Sequence, residues 1–396
     1  MLIDQCHKFT NKIIEFWYIY PLSVLFVFHI SLVAYINSSY MEQFMSTEGV
    51  SILFTVSSAV SVLTFLFFSH ALKAAGNVKL TLILAVIDLL CLIILGLNPE
   101  RAIAITAFFI FLVTSPLLYL NIDIFSEALI GHDEESTGNK RGLILGFISL
   151  TGVLATVLVG LIMDGHTNFS AVYYTAAGTL VLFIVFLLTT FSDFTDPDYD
   201  IFQIRTSLRT IWLKPNIRNV MFSHFLLQVF FIWTVIYFPL YLFTEMGFAW
   251  DKISYILAFG LLAYVLLEWP IGIIADRWFG EKEIMTLGFL ILTISVTSIS
   301  FITSTSILAW MLIMFATRVG AACVEATTEI YFFKHSDGDD ADTISFFRLL
   351  RPLAAVGGTL LGSVALLYLP FQMIFVVLGF FLIPGLFFSF NIEDTK

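Results

Sequence analysis

The sequence predicts an all-α membrane protein of about twelve spanning helices, and three observations predict it. Of its 396 residues, 59% are hydrophobic and only 12% are charged. A soluble domain carries about twice that charged share, so most of this surface must face lipid, and the 43 Phe suit such a surface. The apolar residues also fall in runs of about 20, the length that crosses a bilayer as a helix. The runs do not alternate apolar with polar, as the strands of a membrane barrel would.

Each run is bounded by charged or turn-rich breaks. The first, 20–41, is too long for a cleavable signal peptide and is followed by many more. It carries His29 and Asn37 on one face. The second covers 50–72. The third, 79–97, contains Asp88, and the fourth, 102–128, holds Pro116 and ends on Asp123 and Glu127, four apart on one face. The fifth (142–164) and sixth (169–191) complete the first half. A polar stretch follows, in which 201–212 places Arg205 and Arg209 beside apolar residues. It reads equally as a short amphipathic surface helix or as a plain tether. The seventh span, 218–244, carries Trp233, Tyr237 and Tyr241 at i, i+4 and i+8, with Pro239 able to kink it. The eighth (252–274) includes Tyr264 and Glu268, and the ninth covers 284–303. The tenth (306–333) includes Arg318, Glu325 and Glu329. The eleventh (343–368) starts with Arg348 and Arg351 on one face, and the twelfth is 371–390.

Lys and Arg set the orientation. With both termini cytoplasmic, all but three of the 19 fall on the cytoplasmic side; Arg101 and Lys252 lie outside and Arg318 lies within a span. That bias is the positive-inside pattern of a multi-pass plasma (inner) membrane protein. Trp17, Trp212, Trp250 and Trp310 sit near span ends, where interfacial aromatics belong.

The polar stretch divides six spans from six. Domains are expected at 1–191 and 218–396, joined by a linker at 192–217. A shift of about 202 residues brings Asp123 and Glu127 onto Glu325 and Glu329, and Gly160 onto Gly362. Acids within spans are rare, so the coincidence of the acid pairs marks a repeat of two six-helix halves.

Between the eighth and ninth spans the chain reads Gly-Ile-Ile-Ala-Asp-Arg-Trp-Phe-Gly from Gly272 to Gly280, then Glu281 and Lys282. This resembles the loop signature of the major facilitator superfamily, with one extra residue between Arg277 and Gly280 and Glu281 in place of a basic residue. Arg318 to Glu325 resembles the family's Arg-bearing fourth-span motif, displaced into the second half; Pro116 stands at the matching place in the first. The resemblance implies the major facilitator fold, two pseudo-symmetric six-helix bundles that alternate around a midplane site. It also implies that Gly272, Asp276, Arg277 and Gly280 latch the bundles together. Close helix approach at Gly272, capping or Arg pairing by Asp276, and a tight turn at Gly280 give that latch its physics. The first-half counterpart, Ser69 to Lys79, keeps Gly76 but has Lys73 at the acid position.

Charged residues within spans are costly and therefore candidates for function. Asp123, Glu127, Glu325, Glu329, Arg348 and Arg351 cluster near the cytoplasmic side, where salt bridges would close the path. Glu268, Arg318, Asp88 and His29 lie deeper. A Glu268–Arg318 pair would neutralise both charges, either as a fixed structural pair or as a proton-coupling one. Asp88 has no evident partner, and His29 reads as a packing residue or a proton carrier. Trp233, Tyr237 and Tyr264 are either packing residues or contacts to an amphipathic solute.

Several functions are excluded. No phosphate-binding Gly-rich loop is present, so ATP does not drive the chain, and no metal spacing joins Cys6, Cys91 and Cys323. No basic patch suits nucleic acid, and no loop is long enough for a catalytic domain, so the chain is not read as an enzyme and needs no cofactor. The expectation is a monomeric secondary active transporter of a small molecule, coupled to H+ and embedded in the lipid bilayer. Export of an amphipathic compound by proton antiport, uptake of a metabolite by proton symport, and a non-transporting receptor or scaffold with a transporter fold are the readings to separate.

Overall fold

A computed structural model of the protein describes residues 17–130, 134–164, 167–197, 211–335 and 341–393. Among these the secondary structure is entirely helical. The helices are α1 (Ile19–Ala34), α2 (Thr47–Ala75), α3 (Asn77–Gly96), α4 (Arg101–Ile130), α5 (Glu134–Ile162), α6 (Phe169–Thr190), α7 (Pro215–Thr244), α8 (Trp250–Ile274), α9 (Glu281–Ile299), α10 (Ile307–His335), α11 (Ala341–Tyr368) and α12 (Ile374–Phe390). By length and composition, ten of them can cross a membrane. The other two apolar stretches, Ile19–Ala34 and Gly146–Ile162, are shorter. The expected first span breaks at Tyr35 and Ile36 and resumes as a short helix, Asn37–Met41. The expected linker helix over 201–212 falls almost wholly outside the described residues.

Local chemistry explains the helix ends. Ser46 accepts a hydrogen bond from the Gly49 N–H at the start of α2, 3.3 Å, and Asn168 does the same for Ala171 in α6, 3.0 Å. Pro215 opens α7 at a position where its missing N–H costs nothing. Within the helices, Thr and Ser hydroxyls such as Thr64, Thr106 and Thr189 donate to the carbonyl four residues back. That bond satisfies a hydroxyl where no water reaches it. Large apolar side chains remain exposed in mid-helix, among them Leu63, Phe67, Leu154, Phe380 and Phe387, as lipid contact requires.

The packing repeats. α1 packs on α5 and α6, α2 on α4, and α3 on α4 and α6; α7 packs on α11 and α12, α8 on α10, and α9 on α10 and α12. Each of these first-half pairs recurs six helices later. Between the sets, α2 meets α11 and α5 meets α8, while the short Asn37–Met41 helix touches α7. The start of α1 and the end of α12 lie on one side, here the terminal face: Tyr18 meets Phe186 at the end of α6, and Asn216 at the start of α7 donates to Glu393, 2.9 Å.

Candidate functional site

The seam between the two sets of helices is closed at both faces and polar in between. On the face opposite the termini, Tyr237 of α7 is fully buried. Its hydroxyl hydrogen-bonds Ser51 of α2, and Ser51 also bonds Ser363 of α11, 2.7 Å. One turn below, the Trp233 indole N–H donates to the Gly358 carbonyl of α11, 2.6 Å. Gly362 leaves the room that the Tyr237 ring occupies; a Cβ there would overlap the phenol. Trp233, Tyr237 and Tyr241 are therefore all buried packing side chains in this conformation, and Tyr237 fastens α2 to α7 and α11.

On the terminal face, Arg348 of α11 reaches α4. Its two terminal nitrogens donate to Asp123 and Glu127, 2.6 Å each. One guanidinium grips two carboxylates four residues apart, so the helical period of α4 builds the receptor for the fork. Three residues on, the Arg351 guanidinium lies over the Tyr119 ring of α4, 4.5 Å from its centroid. The first-half position that repeats Arg348 is Gly146, so this closure has no symmetric copy.

Between the faces lie the acids of the second half. Glu268 of α8 accepts a long hydrogen bond from Ser149 of α5, 3.5 Å, across the seam. Glu325 of α10 stands within electrostatic reach of Glu268, Glu329, Arg351 and Arg318. The expected Glu268–Arg318 pair does not form: Arg318 instead donates to Thr234 of α7, 3.0 Å, with its guanidinium carbon 5.2 Å from the centre of the Phe230 ring. Helix geometry explains this. Glu268 falls one turn nearer the terminal face than Tyr264, and Tyr264 is the α8 residue level with Arg318.

Other expectations are also corrected. Asp88 has partners: the Thr114 and Ser115 hydroxyls of α4 donate to its two oxygens, that of Ser115 at 3.0 Å. Their hydroxyls are common in apolar helices, so sequence spacing gave no sign of them. Gly272 is not a point of closest approach, because a Cβ there would meet only Ile330 at an ordinary 3.7 Å. The close approach is instead α9 to α10, where a Cβ on Gly320 would sit 2.7 Å from the Leu292 nitrogen. Trp250 and Trp310 are buried rather than interfacial, and the Trp310 N–H is satisfied by the Ser304 carbonyl, 2.8 Å. His29 is fully buried with its ring edge-on to Phe26, 5.3 Å.

The two loops of the signature are built alike. Gly76 and Gly280 both adopt positive φ, 80° and 81°, between α2 and α3 and between α8 and α9, a conformation that favours glycine. The side chains of Asp276 and Arg277 lie outside the described residues; their backbone forms a π-helical turn, Ala275–Phe279. At the start of α9, Glu281 is buried and paired with Lys334 of α10, 2.6 Å. The first-half loop lacks an acid in sequence but gains one in space: Asp196, beyond α6, accepts from the Asn77 N–H at the start of α3, 2.8 Å. Each helix N-terminus thus meets a carboxylate, as its dipole favours. Asp196 was invisible in the sequence because it lies over a hundred residues from the loop it caps.

No family model matches the sequence, and no curated protein matches it. Solved structures do. The chain is similar to a mutant form of the nucleoside transporter NupG, with 14% identity, a TM-score of 0.73, and coverage of 96% of this chain and 100% of that one. It is similar to an auto-inhibited POT family peptide transporter, with 11% identity, a TM-score of 0.73, and coverage of 96% and 98%. It is also similar to the POT family transporter PepTSo, with 11% identity, a TM-score of 0.74, and coverage of 95% and 96%. The chain has the fold of the major facilitator transporters. Its neighbours in fold are transporters rather than enzymes, and its apolar helices make it a multi-pass membrane protein.

Proposed function

We propose that this chain is a proton-coupled secondary active transporter that moves a small amphipathic solute across the plasma membrane by alternating access. It works as a monomer of twelve spans with both termini cytoplasmic, so the terminal face is the cytoplasmic one. The bundles 1–191 and 218–396 rock against each other about the seam, and 192–217 joins them. Packing pairs that recur six helices apart support the two-bundle reading.

The observation that carries the proposal is the placing of the polar contacts. Hydroxyls fasten the outer face through Tyr237, Ser51 and Ser363, and an ion pair fastens the inner face through Arg348. Both are made of a few breakable bonds between helices that otherwise belong to different bundles, which suits closures that open in turn. Half-buried acids lie between them. Among the described residues Glu268 hydrogen-bonds the first bundle through the long Ser149 bond, so its carboxyl can change partner and charge as the bundles separate. We assign it the coupling proton. Lys73 at the acid position of the first-half loop is the feature that favours a receptor or scaffold, and the Asp196 contact returns a carboxylate to that loop in space.

The fold carries a nucleoside in one neighbour and a peptide in another, so the solute must be read from the seam. The test is purified protein in sealed liposomes holding a trapped pH-sensitive dye. Candidate solutes are added outside and proton movement is followed. A solute that shifts the internal pH only when the protein is present is the expected result, and Glu268→Gln abolishes the shift while the protein stays folded. Undiminished proton movement in Glu268→Gln sinks the coupling assignment.

A further inference from the structure

Arg318 is a buried charge with donors to spare. It lies mid-way along α10, 2% exposed, and a guanidinium keeps its charge in any protein environment. Such a charge needs an anion. Among the described residues it forms no salt bridge, and Glu325, the acid on its own face, is seven residues away, about 10 Å at 1.5 Å per residue.

Its hydrogen bonds are one-sided. Nη1 donates to Thr234, while Nε and Nη2 are buried with no partner. Those two nitrogens share one edge of the planar fork, and their N–H bonds run parallel at the spacing of the two oxygens of a carboxylate. Tyr264 of α8 stands beside the guanidinium, its buried hydroxyl within reach of it but short of a well-formed hydrogen bond to it or to any other described group. Tyr35, just past the end of α1 in the other bundle, comes close to Tyr264, so Tyr264 brings the guanidinium's surroundings to the seam. The walls are aromatic: Phe230 lies under the guanidinium and Phe231 meets the Tyr264 ring, 6.2 Å.

Resting on the transporter reading above, we infer that the solute is an amphipathic monocarboxylate, its two oxygens held by the Nε–Nη2 edge of Arg318 and by the Tyr264 hydroxyl. One fixed positive charge suits one negative charge. A phosphate monoester carries nearly two, and Glu325, Glu268 and Glu329 nearby oppose the second. The aromatic walls take the apolar body. A lipophilic cation would instead leave the Arg318 edge unanswered.

The experiment is thermal stabilisation of the full-length protein in detergent, with three probes that differ only in the head group: 3-phenylpropionate, 3-phenylpropionamide and 3-phenylpropylamine, with octanoate added as an aliphatic acid. The carboxylates raise the unfolding midpoint and the amide and amine do not. Arg318→Lys, which keeps the charge but loses the paired edge, weakens the acids about tenfold or more, and Tyr264→Phe weakens them several-fold. If Arg318→Lys does not purify folded, Tyr264→Phe and Thr234→Val decide. Amide or amine binding as tightly as the acid overturns the inference, as does a panel in which neither acid binds. Acid affinity untouched by the substitutions overturns it too. Uptake into liposomes separates the two claims: an acid that binds but is not moved leaves the Arg318 site standing and sinks transport. An amine that is moved while acids are ignored does the reverse.

Discussion

Removing the Arg348 fork should open the terminal face. The guanidinium makes two charge-assisted hydrogen bonds of 2.6 Å, to Asp123 and Glu127. The three side chains are 26%, 36% and 43% exposed, so water screens the pairs and each is worth under about 1 kcal/mol. A fork holding two carboxylates at once lies at the upper end of that range, which gives about 1.5 kcal/mol for the closure. At about 1.4 kcal/mol per factor of ten, Arg348→Gln should raise the ratio of molecules open at the terminal face to molecules closed there about tenfold. The measurement is the distance between spin labels on cysteines at Ala128, near the end of α4, and Trp278, beyond α8, in a background with Cys6, Cys91 and Cys323 replaced. Both positions are exposed. Wild-type protein should give mainly the short distance, and Arg348→Gln should add a longer population. The charge swap of Arg348→Asp with Asp123→Arg should restore part of the short one. An unchanged distribution in Arg348→Gln would refute the idea that this ion pair closes the face.

Three further outcomes are expected. Tyr237→Phe keeps the ring but removes the hydroxyl that reaches Ser51. It should weaken the contact on the face opposite the termini by about 1 kcal/mol and raise the reaction of a cysteine at Ser363 with a membrane-impermeant thiol reagent about fivefold. Asp196→Ala removes the carboxylate on the Asn77 N–H and should cost about 1 kcal/mol by denaturant unfolding in detergent, whereas Asp196→Asn, which can still accept that bond, should cost less. Burial, with Glu245 and Glu48 nearby, holds the Glu42 carboxyl above its ordinary range, against the bond from Thr47. The folded state therefore binds more protons there than the unfolded one. Stability should fall as pH rises from the ordinary carboxylate value through the raised one. Glu42→Gln should flatten that slope in thermal melts, and an unaltered slope would assign it elsewhere.

The sequence by itself determined the membrane class, the helix order and the acid pair on α4. Each depends on one local property. Twenty apolar residues in a row must become a lipid-crossing helix because a backbone in hydrocarbon satisfies its own hydrogen bonds, and residues four apart share a face whatever surrounds the helix. Arg348 was legible as a candidate for an ion pair between helices because it is charged, rare and near a span end. Its choice of Asp123 and Glu127, more than 200 residues away, was a matter of how α11 lies on α4.

Tertiary structure decided the rest, because partners across a seam leave no spacing in the chain. Glu268 and Arg318 looked like a pair as the two deep opposite charges of one half. The relative height of α8 and α10 puts Tyr264, not Glu268, beside the arginine. Asp88 looked solitary because Ser and Thr in apolar helices usually bond their own backbone, and only the contact of α3 with α4 turns Thr114 and Ser115 toward it. The missing acid of the first-half loop comes from Asp196 for the same reason. Hydrophobic patterning fixes which residues are buried in lipid or protein, whereas hydrogen bonds inside the bundle depend on positions set to within an ångström by packing.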